Sequence, residues 1–403
     1  MKLTQEEQEM LDGKHGRSTR KAMEILAALG VIYGAERMVP VTSVQVAGVS
    51  YDNLGEAGLH FLVDMAEGGG QARVLTTLNP AGMDIENWQA LGIDAAFAER
   101  QTQVIEAFAR MGVVTTCTCT PYLAGNTPKP GEHIAWAESS AVCYANSVLG
   151  ARTNREGGPS ALAAALTGRT PEYGYHLDEN RAPGLTFEVL GRLEQTLEFG
   201  ALGKAIGKQL EATEKKPVAY IRGISQASLE NMKSFCASLA TYGGAALFHI
   251  EGVTPEAGQF APPAVSCCIT QADLDEAIQS MNDASSEEVD FVSLGCPHLS
   301  LNEIAHIANL LEGQQVVKEF WITTARPTKV LADQLGYTRV IEASGAKFAT
   351  DTCCVVAPIQ GRFKALATDS AKACYYAFAK NKFKTMFKPF DEVVLEALGG
   401  RKR

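Results

Sequence analysis

Three cysteines, Cys119, Cys296 and Cys353, share a placement that could do chemistry: each closes a short apolar, β-branched run, as do Ser50 and Asn79. In an open parallel sheet, ligands bind outside the carboxyl ends of the strands, so such positions are the first to inspect. A single cysteine there is most often a packing residue. Three at equivalent positions point to thiolate ligation of a soft metal, either zinc or an iron-sulfur cluster. Zinc sites usually carry close C-x-x-C pairs, whereas this chain has only Cys117-Thr118-Cys119, Cys267-Cys268 and Cys353-Cys354 among its 10 cysteines. Wide spacing suits a cluster held between domains. On spacing alone, buried structural thiols and metal ligands both stay open.

The elements that must position these residues alternate. Thr4 and Glu7 form a capping-box pattern ahead of a first helix, and Met23, Ile25, Leu26, Leu29 and Ile32 have the spacing of a second. Val44 to Val49, Arg73 to Leu78 and Val113 to Cys119 read as strands, the last preceded by a helix through Val104, Ile105, Phe108 and Met111. In the second half, strands are expected at 218–224, 245–250, 290–295, 316–323 and 347–352. Ser300 and Glu303 cap one intervening helix, and Val330, Leu331 and Leu335 mark another. Strand and helix at this spacing imply an α/β fold with mostly parallel sheets flanked by helices. Pro- and Gly-bearing stretches near 215–217 and 256–263 are the expected linkers. They divide the chain into an amino-terminal region 1–215, a central region 216–289 and a carboxyl-terminal region 290–403.

Composition narrows the partners. A formal net charge of -10 excludes a phosphate-backbone binder, because non-specific nucleic-acid affinity rests on a basic face. The only basic run, Arg401-Lys402-Arg403, reads as a solvated tail. No secretory leader and no membrane span are expected. The cysteines then read as reduced, in a cytoplasmic protein.

Several strings carry a resemblance. Gln45 to Ser50 (QVAGVS), Thr76 to Gly82 (TTLNPAG), Thr118-Cys119-Thr120-Pro121-Tyr122, Gly131 to Ser140 (GEHIAWAESS), Gly150 to Ser160 (GARTNREGGPS), Ser293 to His298 (SLGCPH) and Thr350 to Val356 (TDTCCVV) closely resemble the aconitase X family. The match is collinear from the first helix to about Lys372. It implies an aconitase-like, multi-domain hydro-lyase with an iron-sulfur cluster, 4Fe-4S in kind, between its domains. Cys119, Cys296 and Cys353 correspond to the ligands, leaving one iron open to the substrate hydroxyl. By the same resemblance Gly48, Val49, Ser50, Asn79, Pro80, Glu138, Ser139 and Lys372 contact substrate, with Lys372, Glu138 and Ser139 catalytic. One departure is Cys353-Cys354, where the family pattern has a cysteine followed by proline. That doublet, and Cys117 beside Cys119, leave each ligand ambiguous by a residue, with Cys353 and Cys119 preferred on motif register. His133 and His298 sit beside motif residues, Asp178 to Arg181 form a charged turn, and Arg152 and Arg155 are candidate anion partners.

The implied substrate is a small anionic hydroxy acid. Residues 153–160 resemble the archaeal kind, which acts on mevalonate 5-phosphate, more than the bacterial kind, which acts on cis-3-hydroxy-L-proline. Aconitase-like sites are completed by a small swivelling domain, and the residues after Lys372 are too few to form one. A separate small subunit is therefore expected as partner. A cluster-based iron or redox sensor is the non-enzymatic alternative.

Overall fold

The computed structural model describes residues 1–213 and 217–400. Lys215 and Lys216, which mark the expected first boundary, and the basic tail lie outside the described residues. Three parallel sheets carry the chain. The first has three strands, in the order Leu75–Leu78, Ser43–Val46, Ala135–Trp136. The second has four, in the order Phe248–Ile250, Val218–Arg222, Pro183–Val189, Ser266–Ile269. The third has five, in the order Lys347–Thr350, Glu319–Thr324, Phe291–Leu294, Ala365–Thr368, Lys384–Phe387. One short antiparallel pair, Met38–Pro40 with Arg169–Pro171, stands apart.

The capping boxes read from sequence both form, at Thr4/Glu7 and at Ser300/Glu303. Each satisfies two otherwise orphaned N–H groups, which fixes where the helices Gln5–Leu11 and Leu301–Leu311 begin. Other expectations need correcting. Val113 to Cys119 does not become a full strand. Val114 N–H donates to the Thr76 carbonyl and Thr118 N–H to the Leu78 carbonyl, and the segment's one bridge among the described residues is the parallel one of Cys117 with Leu78. Val114 lies exposed at this sheet edge, so burial does not enforce a regular register. The helix Arg326–Gln334 forms, but it buries Thr328 and Ala332, and Val330, Leu331 and Leu335 face solvent.

The strand Pro183–Val189, which lies inside the expected amino-terminal region, pairs with Val218–Arg222 and Ser266–Ile269 in the second sheet. Its Pro183-Gly184 opening reads as a turn, and that hides the alternation of Leu185, Phe187 and Val189 behind it. The stretch 256–263 likewise joins two strands of one sheet. Each sheet has its own apolar core. The first is built around Val44, Leu78, Phe108 and Leu166, the second around Phe187, Phe235 and Phe248, and the third around Ile304, Phe320 and Ile322. Among the described residues no helix is long and apolar enough to cross a membrane.

Candidate active site

The first sheet is wider than its regular strands. On one side the bridge at Cys117 adds the segment leading to Cys119. On the other, His133 bridges Arg152 in parallel, Ile134 N–H donates to the Arg152 carbonyl and Glu156 N–H donates to the Trp136 carbonyl. Five segments thus run side by side in one direction. Read across the sheet, their carboxyl ends carry Cys119, Asn79, Gly48, Glu138 and the stretch Arg155 to Gly158. Cys119, Asn79, Gly48, Glu138 and, within the last stretch, Arg155 were candidates from sequence, and the edge at which they meet is where ligands bind in such sheets.

Backbone shape accounts for the turn after Ser43–Val46. Gly48 has φ +76°, and a Cβ built there would find nothing within 4 Å, so the turn presents open space on that side. Val49 and Ser50 are buried. The Ser50 hydroxyl donates to the Val356 carbonyl at 3.2 Å, which ties this turn to the loop carrying Cys353. A residue not singled out from sequence holds the turn. The fully buried Gln101 accepts from the N–H groups of Tyr51 and Gly82, both at 3.0 Å, and donates to the Val49 carbonyl at 3.0 Å. Its signal was present as a glutamine on the apolar face of Ala95–Arg110, in line with Val104, Ile105 and Phe108.

Glu138 and Lys372 form a buried ion pair between the first and third regions, the two residues 8% and 7% exposed. Glu138 is the N-cap of Ser139–Ser147, and Lys372 sits in the first turn of Ala371–Tyr376. Asn79 donates to Glu138 at 2.9 Å, and the Ser140 hydroxyl donates at 3.1 Å. Burial pushes the Glu138 carboxyl up, but the Lys372 ammonium and these hydrogen bonds outweigh it and hold the group at about 2. Burial likewise works against the Lys372 charge, yet Glu138 and the thiols of Cys296 and Cys119 keep it above the usual lysine range. The Asn79 Oδ1 atom is buried without a hydrogen-bond partner among the described residues. Such an oxygen calls for a donor. Pro80 is buried beside it.

The three thiols are neighbours. Burial raises all three, Cys296 to about 12; Cys353 adds to the rise at Cys119 and at Cys296, and Cys296 to that at Cys119. Among the described residues no three His, Cys, Asp or Glu side chains surround a point that one metal ion could fill. The donor set nevertheless fits a cluster, which spreads its ligands over several metal atoms. It consists of three buried thiols, each with hydrogen bonds to sulfur of the kind that tune such ligands. His298 N–H donates to Cys119 Sγ at 3.2 Å, Ser370 to Cys296, and the N–H groups of Val355 and Val356 to Cys353.

The neighbouring cysteines go elsewhere. Cys117 is in the first apolar core. Cys354 packs among Met83, Leu91, Ala357 and Ile359, with Ser293 as its hydrogen-bond partner. The His298 ring, held neutral by burial with its pKa at about 4, bridges Thr118 Oγ1 at 3.0 Å and the Thr352 carbonyl at 3.0 Å. It therefore links the segments that end in Cys119 and Cys353.

Other candidates serve the frame. His133 Nδ1 meets His176 Nδ1 at 2.9 Å, away from the thiols. Arg181 is buried and pairs with Glu256 at 2.7 Å, joining the first and second regions. Arg152 is engaged by Asp178 at 2.5 Å and by the His176 carbonyl.

A parallel-sheet protein whose strand ends gather three thiols and a buried lysine-carboxylate pair has the architecture of an aconitase-like enzyme. The chain belongs to the aconitase X family: residues 1–179 match the model of the Aconitase X first domain, 183–279 the second and 289–399 the third. It is 46% identical over 377 residues to the phosphomevalonate dehydratase large subunit of Methanothermobacter thermautotrophicus, covering 93% of each chain. It is 33% identical to the cis-3-hydroxy-L-proline dehydratase of Pseudomonas aeruginosa, covering 98% of this chain and 70% of that one. The crystal structure of Thermococcus kodakaraensis aconitase X in its holo-form superposes with a TM-score of 0.91 at 42% identity, covering 98% of this chain and 100% of that one.

Proposed function

We propose that this chain is the large subunit of a cytoplasmic hydro-lyase that converts mevalonate 5-phosphate to trans-anhydromevalonate 5-phosphate in isoprenoid synthesis. The observation that carries the substrate choice is the gap between 46% identity to a phosphomevalonate dehydratase large subunit and 33% to a hydroxyproline dehydratase. Three domains follow the three sheets. Cys119, Cys296 and Cys353 hold an iron-sulfur cluster, 4Fe-4S with one iron open. When bound, the cluster supplies a Lewis acid that makes hydroxide a competent leaving group without a strong general acid.

The chain's own residues bind and orient. Glu138, ionised throughout the neutral range, fixes the direction of the Lys372 ammonium. That ammonium meets the substrate carboxylate, and the Ser139 hydroxyl beside it completes the polar wall. The Gly48-Val49-Ser50 turn presents backbone N–H groups to the other anionic end, with Asn79 and Pro80 shaping the floor. Dehydration removes the tertiary hydroxyl together with a proton from the carbon next to the carboxylate. That proton passes to a base on a separate small subunit that closes over the thiols. That the Methanothermobacter thermautotrophicus relative is itself a large subunit supports such a partner.

The test is to reconstitute both subunits with cluster under argon and offer mevalonate 5-phosphate and cis-3-hydroxy-L-proline separately. Turnover of the first alone is expected. Turnover of the second alone would overturn the substrate, and a cluster spectrum without turnover of either would favour a sensor.

A further inference from the structure

Resting on that reading, we infer that Arg155 is the specificity-determining cation that binds the phosphate group of the substrate. A phosphate dianion taken into a cleft without a cation is prohibitively costly. The cations considered for this edge of the sheet are not equivalent. Lys372 is neutralised by Glu138, and Arg152 by Asp178. Arg155 has no hydrogen-bonded or ion-paired partner among the described residues and is exposed.

Its position follows from the sheet. The segment 152–156 runs parallel to Ala135–Trp136 and ends beside Glu138, so Arg155 belongs to the same row of carboxyl ends as the other candidates. Within the segment its neighbours face the protein. Asn154 bonds Tyr175 N–H and the Tyr173 carbonyl, each at 2.9 Å, and Glu156 accepts from Ser160 at 2.6 Å. Arg155, between these two buried residues, is exposed. The residues that follow lie against the open turn, since a Cβ on Gly158 would meet the Ala47 carbonyl oxygen at 2.7 Å. Only a glycine permits that approach, and it brings the Arg155 strap up to Gly48.

The order across the sheet then sets the direction of the substrate. Cys119 and Arg155 stand on opposite edges, four strand spacings or about 19 Å apart. The hydroxyl end lies toward the thiols and the phosphate end toward the Gly48 turn, within reach of a long side chain from the far edge. A planar guanidinium offers paired donors to phosphate oxygens, which an ammonium does not.

The experiment compares wild type, Arg155→Gln and Arg155→Lys in the cluster-loaded complex of both subunits. It measures KM for mevalonate 5-phosphate, its Kd by calorimetry, and competitive inhibition by inorganic phosphate. The expected result for Arg155→Gln is a KM and Kd raised roughly tenfold to a hundredfold, the range for a lost hydrogen bond to a charged group. Phosphate inhibition should weaken in parallel while kcat holds, and Arg155→Lys should recover part of the loss. Normal KM and Kd in Arg155→Gln, with wild type turning over mevalonate 5-phosphate, would overturn the assignment of Arg155 alone. A fall in kcat with unchanged affinity would also overturn it. Failure of the wild-type complex to bind or turn over mevalonate 5-phosphate would instead overturn the parent reading.

Discussion

Removing one partner of the Glu138–Lys372 pair should destabilise the protein far more than removing both. The pair is nine-tenths buried on each side, and breaking a buried ion pair typically costs about 3 to 5 kcal/mol, because the remaining charge is stranded. The Glu138 carboxyl gives an independent scale. Holding it at about 2 rather than 4.5 corresponds to about 3 kcal/mol of stability at neutral pH. Because the folded-state value is depressed, that stability is present above about 4.5 and is lost as the pH falls through about 2. Urea denaturation at pH 7, followed by fluorescence of Trp136 in the strand that leads to Glu138, should show losses of this size for Glu138→Gln and for Lys372→Met. The double variant should lose less than either single variant, and so fall short of the sum by at least about 3 kcal/mol, the signature of direct coupling. Glu138→Gln should also flatten the acid side of the stability profile. Additive losses, or an unchanged profile between pH 2 and pH 4.5, would refute the reasoning.

Three further outcomes are expected. Cys119→Ser, Cys296→Ser and Cys353→Ser, purified under argon, should each lose the visible absorption of an iron-sulfur centre, whereas Cys117→Ala and Cys354→Ala should keep it; a full spectrum in Cys296→Ser would remove that residue from the ligand set. Arg326 pairs with Asp351 and with Asp84, the latter at 2.8 Å, so Arg326→Ala strands two buried carboxylates and should cost about 3 to 5 kcal/mol by urea denaturation. Gln101→Met keeps the volume but abandons three backbone groups, and a stability loss of about 2 kcal/mol or more is expected, with a raised KM from the slackened Gly48 turn.

Much of this architecture was legible in the sequence because local rules and tertiary structure agree. The capping boxes at Thr4 and Ser300, the β-branched runs before Asn79 and Cys296, and the strand-helix alternation all follow from side chains a few residues apart. What escaped depends on distant neighbours. The strand Pro183–Val189 hides behind a turn-like dipeptide and is recruited by partners on both sides. The segment 152–156 has no strand-like composition and is extended because it lies along Ala135–Trp136. Lys372, surface-like in Ser370-Ala371-Lys372-Ala373, is buried because a carboxylate from the other end of the chain waits for it. Gln101 was visible only as a polar residue in an apolar stripe. Val330 and its neighbours show the converse, an apolar pattern that a small-residue face displaced from the core.

The partners of the buried pair lie 234 residues apart in the sequence. On the ribosome, Glu138 emerges roughly ten to fifty seconds before Lys372 at ordinary elongation rates. Through that interval the carboxylate has no counter-charge and must stay hydrated, so the amino-terminal sheet cannot seal its ligand-binding edge as it is made. The thiols of Cys119 and Cys353 likewise become neighbours only once the carboxyl-terminal region is made. The edge is therefore completed only after the carboxyl-terminal region is made, and a truncated product leaves it open to water.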